Sequence, residues 1–221
     1  MGKYWYQKQL RMLQTVFREP DIMHYDAVSV VDYLKKTSTN CIIVNAGGIV
    51  DFFENDTELG QKNPFMTTED MLRDLTGECH DNGIRVMVRV DFRGVDKARY
   101  EQKPDWFAQE PDGSAKMGWN KIHRPCYNAY YSNEHAVEFI HRMMERYDID
   151  GVWENCVGFG DGPCYCQKCR TMFREETGKE IPEGVSYASE EFTEYRAGND
   201  KLMKHLNIPY QDCHQTGTII H

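Results

Sequence analysis

The sequence predicts an α/β fold of parallel strands, the N-terminal portion of a (β/α)8 TIM barrel comprising about four βα units. Three observations carry that prediction. Short apolar runs alternate with helix-periodic segments through residue 155. The turns entering the strands are short, while the loops leaving the second and third strands are long, residues 46–66 and 93–132. Polar side chains close the apolar runs on that carboxyl side, where barrels of this class build their sites. A complete open sheet of about four strands is the competing architecture; the developed carboxyl-side loops favour the barrel. No fifth strand is legible, so the expectation is a single domain over 1–221, truncated at its C-terminus.

Each element has a local reason. RMLQTVF (11–17) is a weak strand candidate. YDAVSVVDYLKKT (25–37) places Val28, Val31 and Leu34 at helical spacing behind Asp26, a good N-cap. NCIIVNAGG (40–48) is an apolar run closed by glycines, a buried strand. TTEDMLRDLTGECHDNG (67–83) reads as a helix with a Thr cap, an acidic first turn and a terminal Asn-Gly. IRVMVRVDF (84–92) is the clearest strand. NEHAVEFIHRMMERYDID (133–150) carries an apolar helical stripe at 136, 137, 139, 140, 143, 144 and 147, and leads into the strand GVWEN (151–155). Two further helices are expected in RTMFREETG and SEEFTEYRAGNDKLMKHL, followed by an aperiodic tail from 207.

Composition narrows the function. The chain has 221 residues, 40% hydrophobic and 12% aromatic, enough for a real core. Its formal net charge of -9 argues against coating nucleic acid or an anionic membrane. No run approaches the roughly 20 apolar residues of a membrane span, and MGKYWYQKQLRM has no apolar signal core. A cytoplasmic location is therefore expected. There the eight cysteines should be thiols or metal ligands rather than disulfides. Cys41 and Cys79 read as small buried hydrophobes.

The remaining cysteines are more pointed. GPCYCQKCR brings Cys164, Cys166 and Cys169 together as C-x-C-x-x-C. Three thiols this close favour a metal, because crowded free thiols oxidise. A redox C-x-x-C normally opens a helix directly after a strand, and here a loop intervenes. Tetrahedral zinc needs a fourth ligand. Cys126 in HRPCYNAYY is the leading choice, since loops after adjacent parallel strands are neighbours on one rim; Cys156 and His123 are alternatives. Four sulfurs leave no open coordination position, so the zinc would be structural.

Glu154 ends the fourth strand, where a charged residue on a barrel rim reads as catalytic; a rim glutamate paired with an arginine is the plain alternative. Asp91 and Arg93 close the third strand, as a substrate-binding pair or a structural one. Asn45, Trp153 and Asn155 sit at comparable strand ends and could bind sugar hydroxyls or rings, or merely cap loops. Trp106, Trp119, Tyr127, Tyr130 and Tyr131 crowd the long third loop, as sugar platforms or, for most of them, as loop core.

The run RPCYNAYY, then a helix, a strand ending Glu-Asn, and CYCQKCRTMFREETG resembles the family 42 β-galactosidases. As a whole, residues 12 to 178 look closer to the hypothetical glycosyl hydrolase 6 family. The resemblance implies a zinc site at Cys126, Cys164, Cys166 and Cys169. It implies hydrolysis of O-glycosidic bonds of α-L-fucosidase or β-galactosidase type on a carbohydrate substrate, with a homo-oligomer in the full-length protein. The order Glu154-Asn155 reverses the Asn-Glu of family 42, so Glu154 stands as acid/base, nucleophile or binding residue. The expected function is glycoside hydrolysis with Glu154 as a catalytic carboxylate. The alternatives are a non-catalytic sugar-binding barrel and a zinc-stabilised interaction module.

Overall fold

The computed structural model describes residues 4–66, 70–155 and 162–184. The expected helix over 189–206, the tail from 207, Cys156, and the Thr-Thr-Glu start of the second helix lie outside them. The described residues fall into two compact units: residues 4–91 with 138–155, and residues 92–137 with 162–184.

The first unit contains four strands in one sheet: β1 (Met12–Gln14), β2 (Cys41–Gly47), β3 (Arg85–Val90) and β4 (Gly151–Glu154). They lie in the order β1-β2-β3-β4, and every neighbouring pair is parallel. Sequential order with parallel neighbours is the barrel arrangement; a doubly wound sheet would reverse direction part-way. One face carries the fully buried row Ile42, Val44, Val86 and Val88. On the other, Cys41, Ile43 and Met87 form a cluster against Trp5, Leu10 and Trp153. Both faces are covered, which is why these strands read as continuous apolar runs.

The helices begin where short acidic side chains can accept from exposed backbone N–H groups. In α1 (Ala27–Lys36), Asp26 accepts from Ser29 N at 3.0 Å. In α2 (Met71–Asp81), the cap is Asp70, accepting from Arg73 N at 3.1 Å, rather than the threonine of the sequence reading. Gly83 (φ +71°) ends that helix in a conformation few other residues tolerate. Asp150 fixes the start of β4: its carboxylate accepts from Val86 N at 2.8 Å and from Arg85 at 2.6 Å, and meets His80 at 2.8 Å.

The second unit opens with α3 (Lys97–Gln102), a short helix without a sequence signal, capped by Asp96 on Arg99 N at 2.9 Å. Isolated antiparallel bridges then fold residues 95–125 back on themselves. The expected helix over 133–150 is shorter and begins differently. A π turn (Tyr131–His135) leads into α4 (Ala136–Arg146). Of its predicted stripe, Ala136, Phe139, Met143 and Tyr147 are buried, while Val137 and Met144 face solvent. Seven apolar residues make a stripe wider than one contact needs. After β4, α5 (Gln167–Thr177) ends at Gly178 in the left-handed region, as RTMFREETG requires.

A tight reversal joins Met117 to His123. Gly118 N donates to Ile122 O at 2.8 Å, and both middle residues, Asn120 (φ 53°) and Lys121 (φ 59°), have positive φ. That is the backbone pattern of a type I′ turn, in which glycine is the favoured second residue. Lys121→Gly is expected to raise stability by roughly 0.5–1 kcal/mol, seen as a Tm increase of about 1–4 °C. An unchanged or lowered Tm would show that Lys121 makes a compensating contact.

Candidate active site and metal centre

In the first unit, polar side chains gather at the carboxyl ends of the strands. Register places Asn45, Arg89 and Trp153 side by side across β2, β3 and β4. Two residues further, alternation returns Asp91 and Asn155 to the same face. Asn155 Nδ2 donates to Asp91 Oδ2 at 2.9 Å, and an Arg89 terminal nitrogen approaches the same oxygen at 3.6 Å. Asp91 is also gripped through its backbone: its N–H donates to Gly47 O at 2.9 Å, and Gly48 packs against it. A Cβ on Gly48 would stand 2.2 Å from Asp91 O, and Gly48 has φ +111°, so only glycine fits this turn. The turn is held by buried Asp51, which accepts from Gly48 N, Asn55 Nδ2 and Gln61 N at 3.0, 2.7 and 2.8 Å.

Glu154 is in register with Val90, the opposite phase from Trp153 and Asn155. It is partly buried at the strand end. Among the described residues it has no hydrogen bond or ion pair. Desolvation, and then the neighbouring charge of Asp91, push its carboxyl up to about 7. A carboxyl poised there can give up a proton near neutral pH. The remaining predicted residues separate. Asn45 spends its amide on Phe17, exchanging 3.4 Å contacts with Phe17 N and O, so it ties the chain after β1 to β2. Trp153 packs on the Cys41–Met87 cluster. Arg93 belongs to the second unit, 6.0 Å from the Trp119 ring.

Sequence reasoning missed Arg89. Its side chain is only 15% exposed, and its buried Nε has no hydrogen-bond partner among the described residues. The signal was present: one arginine inside the apolar run VMVRV.

The candidate metal centre lies in the second unit. Cys126, Cys164, Cys166 and Cys169 offer sulfurs within 4.8 Å of one another, and all four are buried. Cys126 Sγ is 3.6 Å from Cys166 Sγ and 3.4 Å from Cys169 Sγ. A disulfide would bring sulfurs to about 2.05 Å. Ligands at about 2.3 Å from a tetrahedral zinc stand about 3.8 Å apart, so the spacing suits a shared ion. Cys166 N donates to Cys164 Sγ and Asn128 Nδ2 to Cys169 Sγ, at 3.4 and 3.3 Å, bonds that favour thiolates. A cavity beside Cys164 and Cys169 is lined by Lys116 and Arg124, cations suited to the negative charge of four sulfurs, and by the neutral amide of Asn128. Ala108, Ala129, Tyr165, Phe173 and Ile181 complete the surrounding core. Cys126 is the fourth sulfur of this cluster. The alternative His123 instead stacks on Tyr100 at 4.1 Å. Cys41 and Cys79 are buried thiols, pushed up by burial to about 11 and about 12.

Four parallel strands in sequential order, with polar groups at their carboxyl ends, are the arrangement of part of a (β/α)8 barrel. The model of the family described as hypothetical glycosyl hydrolase 6 matches residues 26–156, well over half of the chain, and the chain belongs to that family. Among solved structures it is similar to α-L-fucosidase isoenzyme 2 from Paenibacillus thiaminolyticus, with 19% identity and a TM-score of 0.66 over 91% of this chain. A hypothetical protein from Ruminiclostridium thermocellum matches with 16% identity and a TM-score of 0.51, covering 65% of this chain and 74% of that one. The α-galactosidase from Lactobacillus brevis matches with 13% identity and a TM-score of 0.50, covering 90% of this chain and 25% of that one. At such identities the likeness shows the fold. The chain spans 30% of the length of the fucosidase. Among curated proteins none matches.

Proposed function

We propose that this chain is a glycoside hydrolase domain in which Glu154 is the proton donor to the glycosidic oxygen. The observation that carries the reading is the Glu154 carboxyl, raised to about 7 beside Asp91. Two carboxyl groups in unlike environments are the working parts of glycosidic cleavage. Glu154 holds its proton because its charge is poorly solvated; Asp91 is held by Asn155 and Arg89. On cleavage the Glu154 proton passes to the leaving oxygen, which keeps the electron pair of the broken C–O bond. Water adds to the anomeric carbon, and its released proton restores Glu154. Asp91 and Asn155, joined at the ends of β3 and β4, are proposed to line the sugar, with α-L-fucosides and β-galactosides as the substrate types. The test is a panel of nitrophenyl α-L-fucoside and β-D-galactoside with Glu154→Gln. Loss of at least about 100-fold in kcat/KM is expected; undiminished turnover would sink the assignment.

One observation favours a second reading, a sugar-binding barrel without hydrolysis. The residue sharing a face with Asp91 at the end of β4 is an amide, Asn155, and not a carboxylate. Binding of the same glycosides without turnover would select it.

The four cysteines are proposed to hold structural zinc, which when bound closes the site with four sulfurs and leaves no position for substrate. Thiolate ligands suit a reducing compartment, in keeping with a cytoplasmic protein. Among the described residues no helix is long and apolar enough to cross a membrane.

A further inference from the structure

Of the loop aromatics that sequence singled out, most become packing. Tyr131 is buried against Phe107 at 5.3 Å and Phe92 at 6.2 Å. Trp106 lies 4.5 Å from Tyr130 and 5.9 Å from His135, with the Lys103 ammonium 5.3 Å from its ring centre. Trp119 is the exception. It is 73% exposed, the most exposed large hydrophobic residue among those described, with Met117 beside it at 46%.

The indole is nonetheless placed rather than loose. It sits at the first corner of the reversal between Met117 and His123, which backbone bonds close from both sides: Gly118 N to Ile122 O at 2.8 Å, and His123 N to Val95 O at 2.8 Å. Gly94 packs directly under the His123 carbonyl, where a Cβ would stand 2.5 Å from the oxygen. The Arg93 guanidinium is 6.0 Å from the indole centre, at the edge of cation–π range. The turn that presents the ring uses two non-glycine residues at positive φ, Asn120 and Lys121.

We propose that Trp119 is a stacking platform for a pyranose ring of a neutral saccharide, with Arg93 bracing the indole. An indole face matches the C–H face of a sugar in size and polarity, and a rigid aromatic loses little side-chain freedom on contact. The inference rests on the glycoside reading and deepens it by naming a subsite in the second unit, independent of Glu154.

The experiment is a titration of the 221-residue chain with L-fucose, D-galactose and lactose, followed by the indole N–H signals of its four tryptophans. The Trp119 signal is assigned by its disappearance in Trp119→Phe. Expected is a saturable shift of that signal with at least one sugar. Trp119→Ala should weaken binding at least tenfold and Trp119→Phe only a few-fold, both with unchanged circular dichroism. Three outcomes overturn the proposal: a Trp119 signal unmoved by every sugar, Trp119→Ala binding as tightly as the parent, or a dimer-to-monomer change in Trp119→Ala by sedimentation, which would make the ring a contact between copies. Glu154→Gln separates this inference from the catalytic reading. A Trp119 shift that persists in that variant while turnover is absent from the parent leaves the platform standing and removes the enzyme. Turnover without any Trp119 shift does the reverse.

Discussion

Replacing Cys169 by alanine is expected to lower the stability of the protein by more than about 4 kcal/mol, a fall in Tm of roughly 10 °C or more. The physical reason is the position of the four sulfurs. Cys126 comes from the loop between β3 and α4, and Cys164, Cys166 and Cys169 from the segment entering α5, so one ion would tie together stretches 40 residues apart. The surrounding core is thin: Ala108, Ala129, Tyr165, Phe173 and Ile181 pack around the thiols themselves. Without an ion, four buried sulfurs carry mutual repulsion or unshared protons, and ligand binding energy that belongs to folding is lost. A chelator should act as the substitution does. Elemental analysis should find one zinc per chain, and chelation should expose four more thiols to a colourless-to-yellow thiol reagent. A metal-free protein that melts at the same temperature with and without chelator would refute the site. Asn128→Leu tests the supporting hydrogen bond to Cys169. It is expected to speed metal loss about 10- to 100-fold while leaving the stoichiometry at one.

The second large effect concerns pH. Glu154 has a folded-state pKa of about 7 against an ordinary value of 4.5. Between those values the folded protein holds a proton that the unfolded chain has released. Stability from this group is therefore complete below about 4.5 and lost as pH rises through about 7. Glu154→Gln removes the charge and with it the loss. At pH 8 the variant is expected to be more stable than the parent by about 1–3 kcal/mol, the lower end reflecting the partial solvent access of the side chain. At pH 4.5 the two should nearly coincide. Urea unfolding across that range reads the difference directly, and parallel curves for parent and variant would contradict the buried-carboxyl account. With Glu154 as the proposed proton donor, kcat/KM of the parent is expected to fall on the alkaline side with an apparent pKa near 7. The substitution thus separates stability from activity: a more stable protein at pH 8 that no longer turns over substrate.

The strands were legible because each is buried on both sides, so apolar runs such as CIIV and VMV survive as uninterrupted text. Helix starts were legible where a short acidic side chain precedes the periodic stretch, as Asp26 does. The start of α2 was misread because Thr67, Thr68 and Asp70 are all adequate caps on composition; the cap is set by where Met71, Leu72 and Leu75 must turn to be buried. α3 was invisible because KARYEQ is too short for a period to emerge. Arg89 was passed over for a related reason. A single charge within a strand reads as an edge position until pairing shows it between Asn45 and Trp153.

By itself, then, the sequence determined the parallel α/β order, the four cysteines and the polar residues that end the strands, because each of these depends on local periodicity, residue chemistry or short spacing. Tertiary structure alone decided how those residues are used. Register turned Asn155 toward Asp91 and set Glu154 beside Val90; folding gave Asn45 to the backbone of Phe17 and left Trp119 in water while burying Tyr131. The reason is that the pairing of distant strands fixes the direction and desolvation of each side chain. A half-turn of phase, or one neighbour 60 residues away, separates a carboxyl that keeps its proton from a packing residue, and neither is written in the neighbouring letters.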